Sequence, residues 1–243
     1  MVVKAGKRDI VNEAFRVLRT NFEFTIGTHP EQNVIVFTSL NPGSGKSHLA
    51  ANMAMSLAIK KKKVLLIDGD LRHGSTSMLI GSPGEGLSDY LNGRIADIHD
   101  ILHKGEESGL VKYFDLIPIG TIPPNPTELL FTPLLEQMIK TMRQEYDYVF
   151  IDCPPIEVVA DTPIYEQFAD RTIFVVRAGL MERNMLPEID ALYKEKKFKN
   201  MTMILNGTKA RGGRYGSHYG YGYGYGYGYG YNYNKEKSGG AKS

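Results

Sequence analysis

Lys46 and Ser47, Asp68 and Asp70, and Asp152 are the residues of this 243-residue chain whose types and spacing suit one chemistry. A lysine followed by a hydroxyl, directly after Asn41-Pro42-Gly43-Ser44-Gly45, is a way to hold phosphate. Glycines let backbone N–H groups turn inward around phosphate oxygens, and the start of a helix adds partial positive charge. Lys46 can then reach β- and γ-phosphates while the Ser47 hydroxyl takes a position on Mg²⁺. The expected nucleotide-contacting stretch is Pro42, Gly43, Ser44, Gly45, Lys46, Ser47 and His48. The strict GxxxxGK[ST] spacing would place glycine at Leu40, so the loop is a variant. Two carboxylates one residue apart, Asp68 and Asp70, are costly together unless a cation neutralises them. Mg²⁺ with ATP would do so, Asp70 holding a metal water and Asp68 left to orient an incoming hydroxyl. Aspartates that only cap a turn are the structural alternative. Asp152 would bind Mg²⁺ through water, opposite Ser47.

Each of these groups needs an element to deliver it. Val34 to Thr38, Val64 to Ile67 and Tyr148 to Ile151 are short apolar runs that end at the phosphate loop, at Asp68-Gly69-Asp70 and at Asp152. In a parallel sheet the carboxyl ends of strands line the ligand crevice, which brings all three to one side. Leu49, Ala50, Met53, Ala54, Leu57 and Ala58 form the expected buried stripe of the helix after the loop, ended by Lys60 to Lys63. Further strands are expected at Tyr113 to Ile119, Thr172 to Val176 and Met201 to Leu205. Helices are expected at Leu87 to Leu91, before Thr172, and from about Leu186 to Lys197. Asn125, Pro126 and Glu128 read as N-cap, N1 and N3 of another helix. Strands alternating with helices predict an α/β fold with a doubly wound, mostly parallel sheet, a P-loop NTPase architecture spanning residues 1–207.

Other segments are more ambiguous. From Val11 to Phe22 an apolar face at Val11, Ala14, Phe15, Leu18 and Phe22 predicts a helix, with Glu13, Arg16 and Arg19 on another flank. That flank reads either as solvated ion pairs contributing about 0.2 to 0.5 kcal/mol each or as a charged face shown to another subunit. Cys153, the lone cysteine, reads as a small buried residue. His73, His99 and His103 lack metal-ligand spacing and read as surface or loop residues. Asn206 is either an adenine-edge reader or part of a turn-forming Asn-Gly. Net charge of +2 with both signs interspersed argues against nucleic acid or anionic membrane as a general partner. No run approaches the length of a transmembrane helix and no signal-peptide core is evident, so a cytosolic location is expected.

Residues 208–243 are different material. Tyr215, Tyr219, Tyr221, Tyr223, Tyr225, Tyr227, Tyr229, Tyr231 and Tyr233 alternate largely with glycine. Such a segment cannot bury enough surface to offset its backbone entropy and is expected to be disordered. It reads as a sticky tail, as an Arg-Gly-Gly and aromatic segment for single-stranded nucleic acid, or as a set of tyrosine substrates. A flexible run of about 36 residues has an r.m.s. span of roughly 30 to 35 Å, enough to reach a neighbour's active site.

With these residues in hand, nearly the whole chain resembles a bacterial protein-tyrosine kinase (BY-kinase) of capsule and exopolysaccharide export. Pro42 to Ser47 resembles the family's Walker A, Leu66 to Arg72 its Walker A′, and Val149 to Pro154 its Walker B. Glu13, Arg16 and Arg19 match its ExxRxxR self-association motif on the helix at about 10–24, and the tyrosine cluster resembles its autophosphorylated tail. The resemblance implies a protein-tyrosine kinase using ATP and Mg²⁺, with Lys46, Asp68, Asp70 and Asp152 as catalytic residues and Ser47, Asp70 and Asp152 around the metal. It further implies transfer to tail tyrosines between subunits of a ring-like homo-oligomer. A transmembrane activator or polysaccharide co-polymerase would supply a cytosolic segment, placing the chain at the inner face of the membrane. A cognate tyrosine phosphatase would reset the tail, and other cytosolic substrates are compatible. A ParA/MinD-like positioning ATPase is the alternative, weakened by Asn41 where those proteins carry a bridging lysine. A nucleotide-gated nucleic-acid binder using the Arg-Gly-Gly and tyrosine tail is a third, disfavoured by the near-zero net charge.

Overall fold

In a computed structural model, the strands stand in the order β3-β2-β4-β1-β5-β6, all parallel. The structure describes residues 1–26, 31–158 and 161–208, and the tail tyrosines Tyr215 to Tyr233 lie outside them. The elements run α1 (Ile10–Ile26), β1 (Val34–Ser39), α2 (Lys46–Ala58), β2 (Val64–Asp68), α3 (Leu87–Leu91), β3 (Phe114–Ile117), α4 (Pro126–Leu130), α5 (Pro133–Glu145), β4 (Tyr148–Asp152), α6 (Thr162–Glu166), β5 (Arg171–Arg177), α7 (Leu186–Lys194) and β6 (Thr202–Asn206). The expected doubly wound architecture is present.

Alternation along the strands sorts their side chains into two layers. Val34, Val36, Leu65, Ile67, Val149 and Ile151 pack with residues of α3, α4, α5 and α6. Ile35, Phe37, Val64, Leu66, Tyr148 and Phe150 pack with α1 and α2. Both faces are covered, which is why these strands read as unbroken apolar runs rather than as alternating ones. A smaller cluster joins Phe174 and Val176 of β5 to Ile189 of α7 and to Phe198.

Local physics corrects several expectations. Helix α2 is buried from Leu49 to Ala58 without a polar face, because the sheet lies beneath it and α1 packs over it; the expected stripe is too narrow. On α1 the buried face runs through Asn12, Phe15, Phe22 and Ile26, whereas Val11 and Ala14 are exposed. Phe22 sets that rotation by wedging edge-on against Phe150, centroids 5.7 Å apart, and against Tyr148. Asn125 precedes α4 but its side chain makes no capping hydrogen bond, leaving Pro126 as the start signal. Helix α7 stops at Lys194, short of the expected Lys197, since Lys196 takes a left-handed φ of 53°. Strand β3 starts at Phe114 because Tyr113 has a φ of 71°. Among the described residues no helix is long and apolar enough to cross a membrane.

Candidate active site

The sheet order assembles the site. β4 lies between β1 and β2, and Phe37, Asp152 and Asp68 are register partners across the three strands. The phosphate loop leaves β1 on one side of Asp152 and Asp68-Gly69-Asp70 leaves β2 on the other. The four expected catalytic residues, Lys46, Asp68, Asp70 and Asp152, and the expected metal ligand Ser47 therefore converge at the carboxyl edge of the sheet, as open parallel sheets require. Gly69 allows the close approach: a Cβ there would stand 3.0 Å from the Asp152 carbonyl oxygen and against the Tyr165 ring.

The loop is held in shape from several directions. Ser39 and Ser44 each donate a hydroxyl hydrogen bond to the Asn41 carbonyl, both 2.8 Å. Arg177 donates to the Gly43 carbonyl at 2.9 Å and Asn206 Nδ2 to the Ser44 carbonyl at 3.0 Å. Gly45, at the N-cap of α2 with φ 89°, lies directly beneath the Asn206 amide, so a side chain there would be both strained and obstructed. Asn206 is the last residue of β6 rather than a residue beyond it, and its amide serves the loop. His48 is exposed in the first turn of α2. Asn41 donates to Glu157 of the same chain at 2.7 Å, so the position where a lysine would bridge two subunits is spent internally.

The carboxylates are deeply placed. Asp68 and Asp152 have no exposed surface and Asp70 very little. Asp68 uses one oxygen, Oδ2, which accepts from both the N–H and the hydroxyl of Ser77, each at 2.7 Å; its Oδ1 has no partner. Asp152 has no hydrogen-bond partner on either oxygen. Burial is the main cause that pushes Asp152 up to about 7, with the Asp68 charge adding and Lys46 and the nearby Ser47 hydroxyl opposing. Burial likewise raises Asp68 against the Ser77 hydrogen bonds. Uncompensated buried carboxylates cost stability unless a cation arrives, so the orphaned oxygens fit a divalent ion held by Ser47 and nucleotide phosphates, with Asp152 and Asp70 acting through water. Among the described residues no group of three or more His, Cys, Asp or Glu side chains could hold a metal by itself.

Several participants have no sequence signature. Asp161, wholly buried, pairs with Arg72 and accepts from Thr127 at 2.7 Å, while Arg72 also donates to Thr127 at 3.0 Å. This network ties the loop after β2 to α4 and to the start of α6. An acidic residue ahead of Thr162-Pro163 was the one available hint. His73, exposed as expected, leans its Nδ1 on Asp70 Oδ1 at 3.2 Å. Cys153 is buried and its thiol is pushed well up by burial, which makes it inert as expected.

The charged flank of α1 divides. Glu13 and Arg16 pair on the surface, and Arg16 also reaches the Lys7 carbonyl. Arg19 instead turns inward and donates to the Ser56 carbonyl at 2.8 Å and its hydroxyl at 3.2 Å. Ser56 lies in the last turn of α2, where carbonyls lack helical partners and a cation complements the dipole. The exposed face of α1 carries Ile10, Val17 and Phe24, the last 87% exposed.

Comparison with known proteins places this geometry. A family model described as an AAA domain matches residues 32–197. The chain is 34% identical over 208 residues to the tyrosine-protein kinase CpsD of Streptococcus agalactiae, spanning 85% of this chain and 87% of that one. It is 36% identical over 205 residues to a putative tyrosine-protein kinase, AmsA, of Erwinia amylovora, covering 84% of this chain but only 26% of that longer protein. The kinase domain of Escherichia coli tyrosine kinase Etk superposes with a TM-score of 0.74 at 32% identity, covering 89% of this chain and 82% of that domain.

Proposed function

The chain belongs to the bacterial protein-tyrosine kinases, and from that membership we propose that it transfers the γ-phosphoryl of ATP to tyrosines of the segment Tyr215 to Tyr233 on a neighbouring copy. The observation that carries the reading is the pairing, beside a phosphate loop, of two buried carboxylates with unpartnered oxygens, Asp68 and Asp152. Lys46 and the loop N–H groups bind and orient the phosphates. Ser47, with Asp70 and Asp152 acting through water, would hold Mg²⁺, which would supply charge neutralisation. Asp68 Oδ1 accepts the hydrogen bond of the incoming phenol and fixes its line of attack. A phenol near pKa 10 is neutral at pH 7, but a loose phosphoryl-transfer transition state needs alignment and neutralised charge more than a strong base. The bond from the γ-phosphorus to its bridging oxygen breaks with its electron pair leaving on ADP. The bond from that phosphorus to the phenolic oxygen forms, and the phenolic proton passes by way of Asp68 to solvent.

The rest of the reading concerns assembly and control. Glu13, Arg16 and Arg19 sit on a helix whose outer face is partly apolar, which supports a ring-like homo-oligomer through α1. Each phosphotyrosine adds about −1.5 to −2 charges, so a heavily modified tail repels its neighbours and loosens the ring. A transmembrane activator supplies a cytosolic segment and holds the kinase at the inner face of the membrane. A cognate phosphatase resets the tail, and the cycle regulates capsule or exopolysaccharide synthesis and export.

Purified protein with Mg-ATP, and with the activator segment where required, is expected to form phosphotyrosine confined largely to Tyr215 to Tyr233 by mass spectrometry. Lys46→Met should reduce it by at least about 100-fold, the scale of losing a preorganised cation at the transferring phosphoryl group. Wild-type protein that hydrolyses ATP without forming phosphotyrosine under these conditions refutes the kinase reading and favours a positioning ATPase.

A further inference from the structure

We propose that Ser77 is a positioning residue of the phosphoryl-transfer step: it locks the Asp68 carboxylate so that Oδ1 alone faces the crevice. The proposal rests on the kinase reading above and deepens it.

A carboxylate can rotate and exchange its two oxygens, so a single hydrogen bond would leave Asp68 free to swing. Here both donors of Ser77 converge on Oδ2, the N–H and the hydroxyl each at 2.7 Å. The Ser77 hydroxyl has no freedom of its own. Its oxygen accepts the Ile119 N–H at 2.9 Å, so its proton must point elsewhere, and the direction left is Asp68. Ser77 is itself buried, and the short helical turn it opens is closed by the Ser82 N–H donating to the Ser77 carbonyl at 3.0 Å. Three connections therefore meet at one side chain: the end of β2, the turn after it, and the segment after β3. Asp68 Oδ1 and the Thr76 hydroxyl are both buried without a well-formed hydrogen bond, and the Thr76 hydroxyl lies close enough to favour the charged Asp68 carboxylate, as the Ser77 bonds do. Both oxygen-directed donors of Ser77 are spent on Asp68, so its effect on transfer passes through that carboxylate.

The test uses the full chain with Mg-ATP and compares Ser77→Ala, Ser77→Thr and Ser77→Cys with wild type. Two readouts are taken: the rate of phosphotyrosine formation at saturating ATP, and the affinity for a fluorescent ADP analogue measured by titration. Loss of orientation at one reacting group is expected to slow transfer about 10- to 100-fold in Ser77→Ala, with nucleotide affinity within about twofold of wild type. Ser77→Thr, which keeps the hydroxyl, should recover transfer to within about threefold, and Ser77→Cys, a weaker donor of similar size, should fall between. If Ser77→Ala does not fold, Ser77→Cys decides. A folded variant lacking the hydroxyl that transfers within twofold of wild type overturns the proposal, as does a parallel loss of transfer and nucleotide affinity. Wild-type protein that binds the nucleotide analogue but forms no phosphotyrosine overturns the kinase reading and this proposal with it. The Ser77 variants alone separate the two failures.

Discussion

The aspartates at the two ends of the sheet are equally at home in strands and turns, yet they are treated in opposite ways. At the amino end, Asp115 accepts from Lys104 at 2.9 Å, from the Gly105 N–H at 3.0 Å and from the Tyr146 hydroxyl at 2.7 Å. Asp170 pairs with Arg143 at 2.7 Å and accepts the Val34 N–H at 3.0 Å. At the carboxyl end, Asp152 is left with no hydrogen-bond partner and Asp68 with one free oxygen. A buried carboxylate that is satisfied within the chain closes the fold, whereas one that is not is a cost borne for a ligand. A cavity of about 790 Å³ around Arg171, Tyr193 and Lys199 is also at the amino end, away from the phosphate loop at the carboxyl end. Volume and unsatisfied charge point to opposite ends of the sheet, and the proposed function rests on the charge.

Substitutions can break that contrast, beginning with the largest effect. Asp152→Asn is expected to slow tyrosine phosphorylation about 100-fold in a phosphotransfer assay, the scale of losing one electrostatic group at a transition state. The same variant should melt higher than wild type at pH 7.5 without nucleotide, because it removes a buried charge. A lower melting temperature would place Asp152 with the structural aspartates. Asp170→Ala is the mirror experiment: removing the partner of Arg143 should cost about 1 to 3 kcal/mol in denaturant unfolding while leaving transfer per folded molecule near wild type.

Smaller effects sharpen the same contrast. The folded Asp152 carboxyl titrates at about 7 against its ordinary 3.8, so the folded state holds an extra proton between those values. Stability of the nucleotide-free chain should therefore fall as pH rises through that window, a slope that Asp152→Asn reduces in melting scans while the part from Asp68, also raised by burial, remains. Smallest of all, Arg19→Ala should cost about 1 kcal/mol by removing a cap from the last turn of α2. Glu13→Ala with Arg16→Ala should leave stability within about 0.5 kcal/mol while dispersing the oligomer by light scattering. An oligomer that persists in the double variant would remove these two residues from the interface.

Much of this was legible beforehand for a physical reason. Apolar runs ending in Lys46-Ser47, Asp68, Asp70 and Asp152 announce strands that deliver charge to one edge, and a parallel sheet has few ways to arrange them. What escaped was set by packing rather than by pattern. The rotation of α1 could not be read from apolar spacing, because Val11, Val17 and Phe24 stay exposed while Asn12 is buried. Arg19 looked like its neighbours Glu13 and Arg16 until the end of α2 was seen beneath it. Asp161 and Ser77 sit in turns without periodicity, and only the tertiary fold brings them to Arg72 and Asp68. Asn125 does stand at the N-cap of α4 with Pro126 following, but its side chain makes no capping bond.

The bond from Asn206 to the Ser44 carbonyl makes the last strand a fastening. Gly207 donates its N–H to Asn206 Oδ1 at 2.8 Å, so the same amide group grips the phosphate loop with its nitrogen and the departing chain with its oxygen. In mechanical terms β6 is a strut whose far end is bolted to the turn between β1 and α2.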